Sequence, residues 1–89
     1  MGEVLLVFEI RPESPEIKPK MLEERIRSDL PQRIKMQDDI EERPLAFGLV
    51  SVVAQFIIPE EDGMQDNLED FLNSIEGVSS INLDFVTRL

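Results

Sequence analysis

Two segments of the chain alternate between apolar and other residues with a period of two, which predicts two buried strands. In residues 4–10 every even position is apolar, and Pro12 ends the segment. Residues 49–58 repeat the pattern, and Pro59 closes it. Because successive side chains of a strand point to opposite faces, we expect the even positions of both segments to face the core: Val4, Leu6, Phe8, Ile10, Val50, Val52, Ala54, Phe56 and Ile58.

Two other segments carry apolar residues at the three- and four-residue spacing of an amphipathic helix. The first begins near Pro19, places Leu22, Ile26 and Leu30 at steps of four, and ends near Leu30 because Pro31 follows. The second has apolar residues at 68, 71, 72 and 75. We predict that Asp66 caps its N-terminus, with Glu69 three residues later. Gly77 is its expected end.

Two further segments alternate more weakly and predict edge strands. Residues 33–43 carry Ile34, Met36 and Ile40 among charged residues, and the last segment alternates Ile81, Leu83 and Phe85 with polar positions. The order β-α-β-β-α-β predicts an α+β, ferredoxin-like sandwich: a four-stranded antiparallel sheet with two helices on one face. Residues 1–89 are expected to form a single domain, with the two most apolar strands, the first and third, at the centre.

Composition narrows the range of functions. The chain has a net charge of −10 and contains neither cysteine nor histidine. An acidic surface repels phosphate backbones and anionic lipids, so we expect no direct nucleic-acid partner and no membrane partner. The commonest general base, the commonest metal ligand and any thiolate are missing. Neighbouring carboxylates of the second strand point to opposite faces, and those of 60–62 lie in a turn. We therefore predict a protein that is not an enzyme, binds no cofactor and no metal, and, without a leader or spanning segment, is cytoplasmic.

Three features are candidates for binding. Phe47 lies at a turn between the second and third strands, opposite in parity to the core, so it is either a knob for a partner or a cover over the end of the core. Arg88 is the single base after Pro44, against eight acidic residues, and is a chance feature, a surface ion pair or a binding group. The sheet face away from the helices is a contact or dimer face, or is covered by termini and loops; it bears Leu5, Val7, Leu49, Val53 and Ile57.

Four short segments together resemble the archaeal translation elongation factor 1-beta family and the C-terminal exchange domain of the eukaryotic factor. They are residues 44–49, 66–69, 75–78 and 86–89 (PLAFGL, DNLE, IEGV and VTRL). The resemblance implies a ferredoxin-like guanine nucleotide exchange factor that releases GDP from the GTPase elongation factor 1-alpha. It also implies partner-binding residues at Phe47 and Gly48, with the aromatic side chain of this turn entering a pocket of the GTPase's nucleotide-binding domain.

At the other end of the chain, the resemblance implies that Arg88 is aimed at the magnesium and phosphate site, with Leu89 as the terminal apolar residue. This sequence departs from the family at two positions: Arg88 stands where the eukaryotic domains usually have lysine, and Ala46 where glycine often precedes the aromatic residue. The expected partner is elongation factor 1-alpha, both GDP-bound and nucleotide-free, and the free factor is expected to be a monomer.

Another class of function is compatible with the same fold. A ferredoxin-like regulatory domain that senses a small molecule would have a specific pocket at a sheet edge or dimer interface, and would be a homodimer. A ferredoxin-like RNA binder needs basic residues and exposed stacking aromatics on its central strands. The corresponding positions here are aliphatic and the net charge is negative, so we exclude RNA binding.

Overall fold

Strands and helices follow one another along the chain in the predicted order, β-α-β-β-α-β. The computed structural model describes residues 2–89, except for the side chain of Asp38. These residues form β1 (Glu3–Pro12), α1 (Pro19–Asp29), β2 (Lys35–Pro44), a short 3₁₀ turn (Ala46–Gly48), β3 (Val50–Pro59), α2 (Met64–Ser74) and β4 (Val78–Arg88).

The four strands form one antiparallel sheet in the order β2-β3-β1-β4. β1 pairs with β3 on one side, where Val4 lies opposite Ile58, and with β4 on the other, where Val4 lies opposite Arg88. The two strands with the most apolar sequences are therefore central, and the two more polar strands form the edges. The predicted ferredoxin-like architecture is confirmed.

The core lies between one face of the sheet and the two helices. On the central strands the buried apolar positions are the even-numbered ones, as predicted: Leu6, Phe8, Ile10, Val52, Ala54, Phe56 and Ile58. The helices cover them with Leu22, Ile26, Leu68 and Leu72. The rings of Phe8 and Phe56 meet edge to face, with their centroids 6.3 Å apart. One continuous apolar face on each element is what lets so short a chain bury a core.

The first helix agrees with its prediction, and the second differs at both ends. α1 starts with Pro19 at its N-terminus and ends at Asp29, after which Leu30 is extended. α2 begins at Met64, so Asp66 is not its N-cap; Gly63 occupies that position with a φ of 84°. Met64 is buried, and beginning the helix there packs it against the core.

At its other end α2 stops before the predicted glycine. It ends at Ser74, and the buried Ile75 leaves the helix in an extended conformation. Gly77 then turns the chain into β4 with a φ of 97°. A Cβ at this position would lie 2.8 Å from Nη1 of Arg25. Gly77 therefore leaves room for the Arg25 side chain, which donates to the carbonyl oxygen of Glu76, and the helix itself ends earlier to bury Ile75.

Both edge strands contain irregularities that the alternation did not predict. On β4, Leu83 lies opposite Phe8 but Phe85 lies opposite Val7, so Asp84 is an extra residue. Because residues opposite each other in an antiparallel pair share a face, Phe85 lies on the open face and Leu83 on the helix face. The predicted simple alternation of Ile81, Leu83 and Phe85 is therefore wrong. β2 starts at Lys35 instead of residue 33, and its register with β3 shifts between Gln37 and Glu41.

A carboxylate is buried on the open face of the sheet. Glu9 is only 3% exposed, and it accepts hydrogen bonds from neighbours on both of its sides. Its Oε1 lies 3.2 Å from Nε of Arg11 and 3.4 Å from Nδ2 of Asn82. Its Oε2 lies 3.1 Å from Nη1 of Arg43 and 3.0 Å from Oγ of Ser51. These partners come from all four strands, so the group, the Glu9 cluster, joins the sheet across its full width.

The charge of Glu9 is stabilised within this cluster. Burial raises the pKa of Glu9, but hydrogen bonds from Ser51, Asn82 and Arg11, with the positive charge of Arg11, outweigh burial. The net result is a pKa below its ordinary value of 4.5. A group whose pKa is lower in the folded protein stabilises that state at pH values above its unfolded-state pKa. This contribution is lost as the pH falls through the folded-state pKa.

Glu9→Gln keeps the size of the side chain, removes its charge and replaces one of the two oxygens that accept from Arg11 and Arg43 by an NH2 group. At pH 7 we expect the free energy of unfolding to fall by about 1–3 kcal/mol, the range for hydrogen bonds to charged groups. Below pH 4.5 the difference from wild type should narrow, because Glu9 takes up a proton first in the unfolded chain and, at lower pH, in the folded protein. Urea unfolding at pH 7 and pH 3 measures both effects. Glu41→Gln, at an exposed position of the same face, is the control, and a Glu9→Gln deficit that does not change with pH would contradict the assignment.

Candidate functional site

Phe47 lies in a tight turn that joins β2 to β3. The amide of Leu45 donates to the carbonyl oxygen of Leu49 at 2.7 Å, and the amide of Leu49 donates to the carbonyl oxygen of Ala46 at 3.3 Å. Inside this closed turn Phe47 has a φ of 63° and a ψ of 30°, and Gly48 has a φ of 76°. Glycine suits such a conformation, whereas a residue with a side chain is destabilised in it by about 1–2 kcal/mol.

The ring of Phe47 is exposed to solvent. Phe47 is 92% exposed, whereas Leu45 and Leu49 on either side are half-buried. The interpretation that Phe47 covers the end of the core is therefore wrong. A large apolar side chain held in water by a strained backbone is an arrangement found at binding sites, where a partner supplies the missing contacts.

Arg88 lies at the end of β4, beside the start of β1. Its side chain is 81% exposed, and its Nε lies 2.6 Å from Oε2 of Glu60. Of the three interpretations of Arg88 that the sequence left open, the structure shows the surface ion pair. Leu89 follows, 64% exposed, with its amide donating to the carbonyl oxygen of Glu3 at 2.9 Å.

Glu60 is held close to the backbone of Gly2. Its amide donates to the carbonyl oxygen of Gly2 at 2.9 Å, and a Cβ on Gly2 would lie 2.9 Å from Oε1 of Glu60. Arg88 and Glu60 border a hollow of about 260 Å³ with Glu61 and Asp62. Arg33 donates to Glu61 and thereby holds the pKa of that carboxyl below its ordinary value. The surroundings of Arg88 are therefore acidic.

The two groups of candidate residues lie at opposite ends of the sheet. Arg88 is opposite Val4 at the start of β1, whereas the Phe47 turn lies beside Pro12 at its end. At about 3.3 Å per residue, Val4 and Pro12 are separated by about 26 Å. The structure therefore keeps the pair Phe47 and Gly48 apart from the pair Arg88 and Leu89.

Sequence reasoning missed that Arg11 lies at the Phe47 end of the sheet. Arg11 lines a hollow of about 370 Å³ together with Phe47, and it is also a member of the Glu9 cluster. The sequence does contain one signal for the cluster: Glu9 is a charged residue between Phe8 and Ile10 in a central strand. A charge at such a position requires buried partners.

Among the described residues, the remaining carboxylates of β2 are scattered on the surface. Asp39, Glu41 and Glu42 are exposed. Within residues 2–89, apart from the side chain of Asp38, no group of three or more acidic residues could hold a metal ion. None of the helices in the described chain has the length and apolar character needed to cross a membrane. The aliphatic residues predicted for the open face are half-buried: Leu5, Val7, Leu49, Val53 and Ile57.

A hollow of about 410 Å³ lies between the two helices instead of at a sheet edge. It is lined by Arg25, Asp29, Phe71, Ser74, Ile75 and Glu76. The alternative function considered from the sequence, a small-molecule sensor, requires a pocket at a sheet edge or a dimer interface. This hollow is therefore not in the place that the sensor hypothesis predicts.

Comparison with known proteins gives a consistent result along the chain. Residues 5–89 match the model of the EF-1 guanine nucleotide exchange domain. The chain is 39% identical to an elongation factor 1-beta of Methanoculleus marisnigri over 93% of both chains. It is 39% identical to the elongation factor 1-beta of Sulfolobus acidocaldarius over 98% of this chain and 97% of the relative. It is 41% identical to that of Hyperthermus butylicus over 100% of this chain and 97% of the relative.

These matches extend over both candidate sites, the Phe47 turn and the end of β4. The resemblance inferred from the four short segments is confirmed. The chain belongs to the EF-1 guanine nucleotide exchange domain family, whose archaeal members are the translation elongation factors 1-beta.

Proposed function

We propose that this chain promotes the release of GDP from elongation factor 1-alpha during translation elongation, with residues 1–89 acting as one exchange domain. The family membership supports this proposal, and one structural observation carries it: Phe47 is 92% exposed on a strained backbone. The factor binds its partner in the GDP-bound and nucleotide-free states, makes and breaks no covalent bond, and works in the cytoplasm as a monomer when free.

The thermodynamic basis of exchange is differential affinity. A factor that binds the nucleotide-free GTPase more tightly than the GDP-bound form lowers the affinity for GDP by the same ratio. A ratio of 100 corresponds to about 2.7 kcal/mol. The residues of the factor must therefore supply contacts that are stronger, or repulsions that are weaker, when GDP and its magnesium ion are absent.

Phe47 supplies an apolar contact. Burial of a phenylalanine side chain in a pocket contributes about 1.5–3 kcal/mol. The turn already fixes the backbone that carries the ring, because hydrogen bonds close it around the positive φ angles of Phe47 and Gly48. Little backbone entropy is therefore lost when the ring binds. Gly48 contributes by adopting the conformation that the turn requires.

Arg88 supplies a positive charge. At about 4 Å and an effective dielectric constant of 20, a unit charge repels a divalent cation by about 8 kcal/mol. The exposed ion pair with Glu60 contributes only about 0–1 kcal/mol, so releasing Arg88 from Glu60 requires little energy. Even after screening reduces the repulsion several-fold, enough remains to speed the loss of magnesium. Leu89 provides an exposed apolar contact beside this charge.

The separation of the two sites implies different effects on exchange. Groups that lie about 26 Å apart cannot both act on one magnesium ion. We therefore assign Arg88 to the nucleotide site and Phe47 to an anchoring contact at a distance from it. An anchoring contact contributes mainly to affinity, whereas a group that acts at the nucleotide site changes the maximal rate of release.

For Phe47→Ala we expect an affinity for nucleotide-free elongation factor 1-alpha about ten- to a hundredfold weaker, because the buried ring contact is lost. The free energy of unfolding should change by less than about 0.5 kcal/mol, since the ring is exposed. Isothermal titration and urea unfolding measure the two quantities. Phe85→Ala removes another exposed ring, from the edge strand β4 on the open face, and should bind as wild type does. If both variants lose affinity equally, or if neither variant loses affinity, the result would contradict the role of Phe47.

For Arg88→Ala we expect the maximal rate of GDP release to fall at least tenfold, while the affinity changes little. Arg88→Lys should retain most of the rate because the charge remains. Stopped-flow release of a fluorescent GDP analogue at saturating factor measures the rate. Arg33→Ala is the matched control, since it removes the same charge from another exposed ion pair near the same acidic turn. If Arg88→Ala releases GDP as fast as wild type, the charge mechanism is wrong.

A further inference from the structure

Arg11 occupies a position that the proposed function does not explain. Its Nε donates to Glu9, and its side chain is 46% exposed. Within the part of the chain that the structure describes, Nη1 and Nη2 of Arg11 make no hydrogen bond. One edge of the guanidinium is therefore anchored by a buried carboxylate, and its terminal nitrogens keep their donors available.

This anchoring prepares Arg11 for binding. A free arginine side chain loses rotamer entropy when it binds a ligand, whereas one already fixed by a hydrogen bond loses less. Glu9 is itself held by Ser51 and Asn82 from the neighbouring strands. The position of the Arg11 guanidinium is thus set by the sheet and not by a mobile loop.

The hollow beside Arg11 has two chemically different sides. The turn between β2 and β3 contributes apolar atoms, including those of Leu45, Phe47 and Leu49, and β1 adds Pro12. The start of β4 contributes the hydroxyl-bearing side chains of Ser79 and Ser80. Arg11 supplies the one charge in this lining. A group that fits it combines a carboxylate, which matches the donors of a guanidinium, with an adjacent apolar surface.

The hollow is also continuous with the exposed ring of Phe47, which forms part of its lining. A protein that takes up the ring of Phe47 must therefore cover the hollow. Most of the surface of this chain is acidic, with a net charge of −10. Acidic groups of a partner are repelled elsewhere and attracted to a local positive charge, so Arg11 favours an acidic residue at this place.

We propose that the hollow between the Phe47 turn and the start of β4 receives an acidic side chain of the GTPase partner, which pairs with Arg11 while neighbouring apolar atoms contact Leu45 and Leu49. This inference rests on the proposed function. It adds a second contact at the Phe47 end of the sheet and specifies its chemistry.

The test compares two arginines of the same cluster. Arg11 and Arg43 both donate to Glu9, are 46% and 48% exposed, and lose the same charge on substitution by glutamine. Arg43 does not line the hollow. We expect Arg11→Gln to weaken binding to nucleotide-free elongation factor 1-alpha about tenfold or more, since the loss of one partner of a buried charge pair has effects of this size. Arg43→Gln should weaken it less than threefold.

A cross-linking experiment identifies the partner group. In Arg11→Lys the new amine can be coupled by a carbodiimide to a carboxylate in direct contact, which wild-type arginine cannot. We expect an additional cross-link to an aspartate or glutamate of the GTPase, mapped by mass spectrometry. The three native lysines, Lys18, Lys20 and Lys35, provide the background in both proteins.

The outcomes separate this inference from the proposed function. If wild type releases GDP but Arg11→Gln binds as tightly as wild type, only this inference is overturned. Equal losses of affinity in Arg11→Gln and Arg43→Gln would assign the effect to the stability of the Glu9 cluster and would also overturn this inference. An Arg11→Lys protein that forms no additional intermolecular cross-link would overturn it too. A wild-type protein that neither binds the nucleotide-free GTPase nor speeds GDP release would overturn both.

Discussion

The antiparallel pairing of β1 with both of its neighbours determines where every candidate site lies. Because β3 and β4 both run opposite to β1, the start of β3 lies at the end of β1 and the end of β4 lies at its start. The turn before β3 and the last residue of β4 are consequently at opposite ends of the sheet. The separation of Phe47 from Arg88 follows from strand direction and does not depend on loop conformation.

The two faces of β1 contribute to the protein in different ways. The even positions bury apolar surface against the helices, which is the main source of stability. On the other face, Glu9 gathers side chains from all four strands and fixes Arg11 at the end where Phe47 projects. The same carboxylate thus connects the stability of the sheet to the geometry of the proposed binding surface.

The sequence predicted features that depend on local periodicity, and it failed where distant residues decide the structure. The buried faces of β1 and β3 and the position of α1 followed from spacing alone. The predicted start of α2 was wrong because the burial of Met64 outweighs the capping pattern at Asp66. The alternation in β4 was interrupted at Asp84, which pairs with Arg43, 41 residues away in sequence. The exposure of Phe47 was left open because it depends on whether the turn folds against the core.

In the proposed complex, this acidic protein offers its partner a positive group at each end of the sheet. Arg11 lies beside the exposed ring of Phe47, and Arg88 lies beside the acidic turn at 60–62. A partner that binds both ends must present an acidic and apolar region at one place and an anionic or metal-bearing region about 26 Å away. Each end carries a cation beside an exposed apolar residue, so charge alone does not select an orientation. In the proposed complex the apolar contact selects it, because the ring of Phe47 has more apolar surface to bury than the side chain of Leu89.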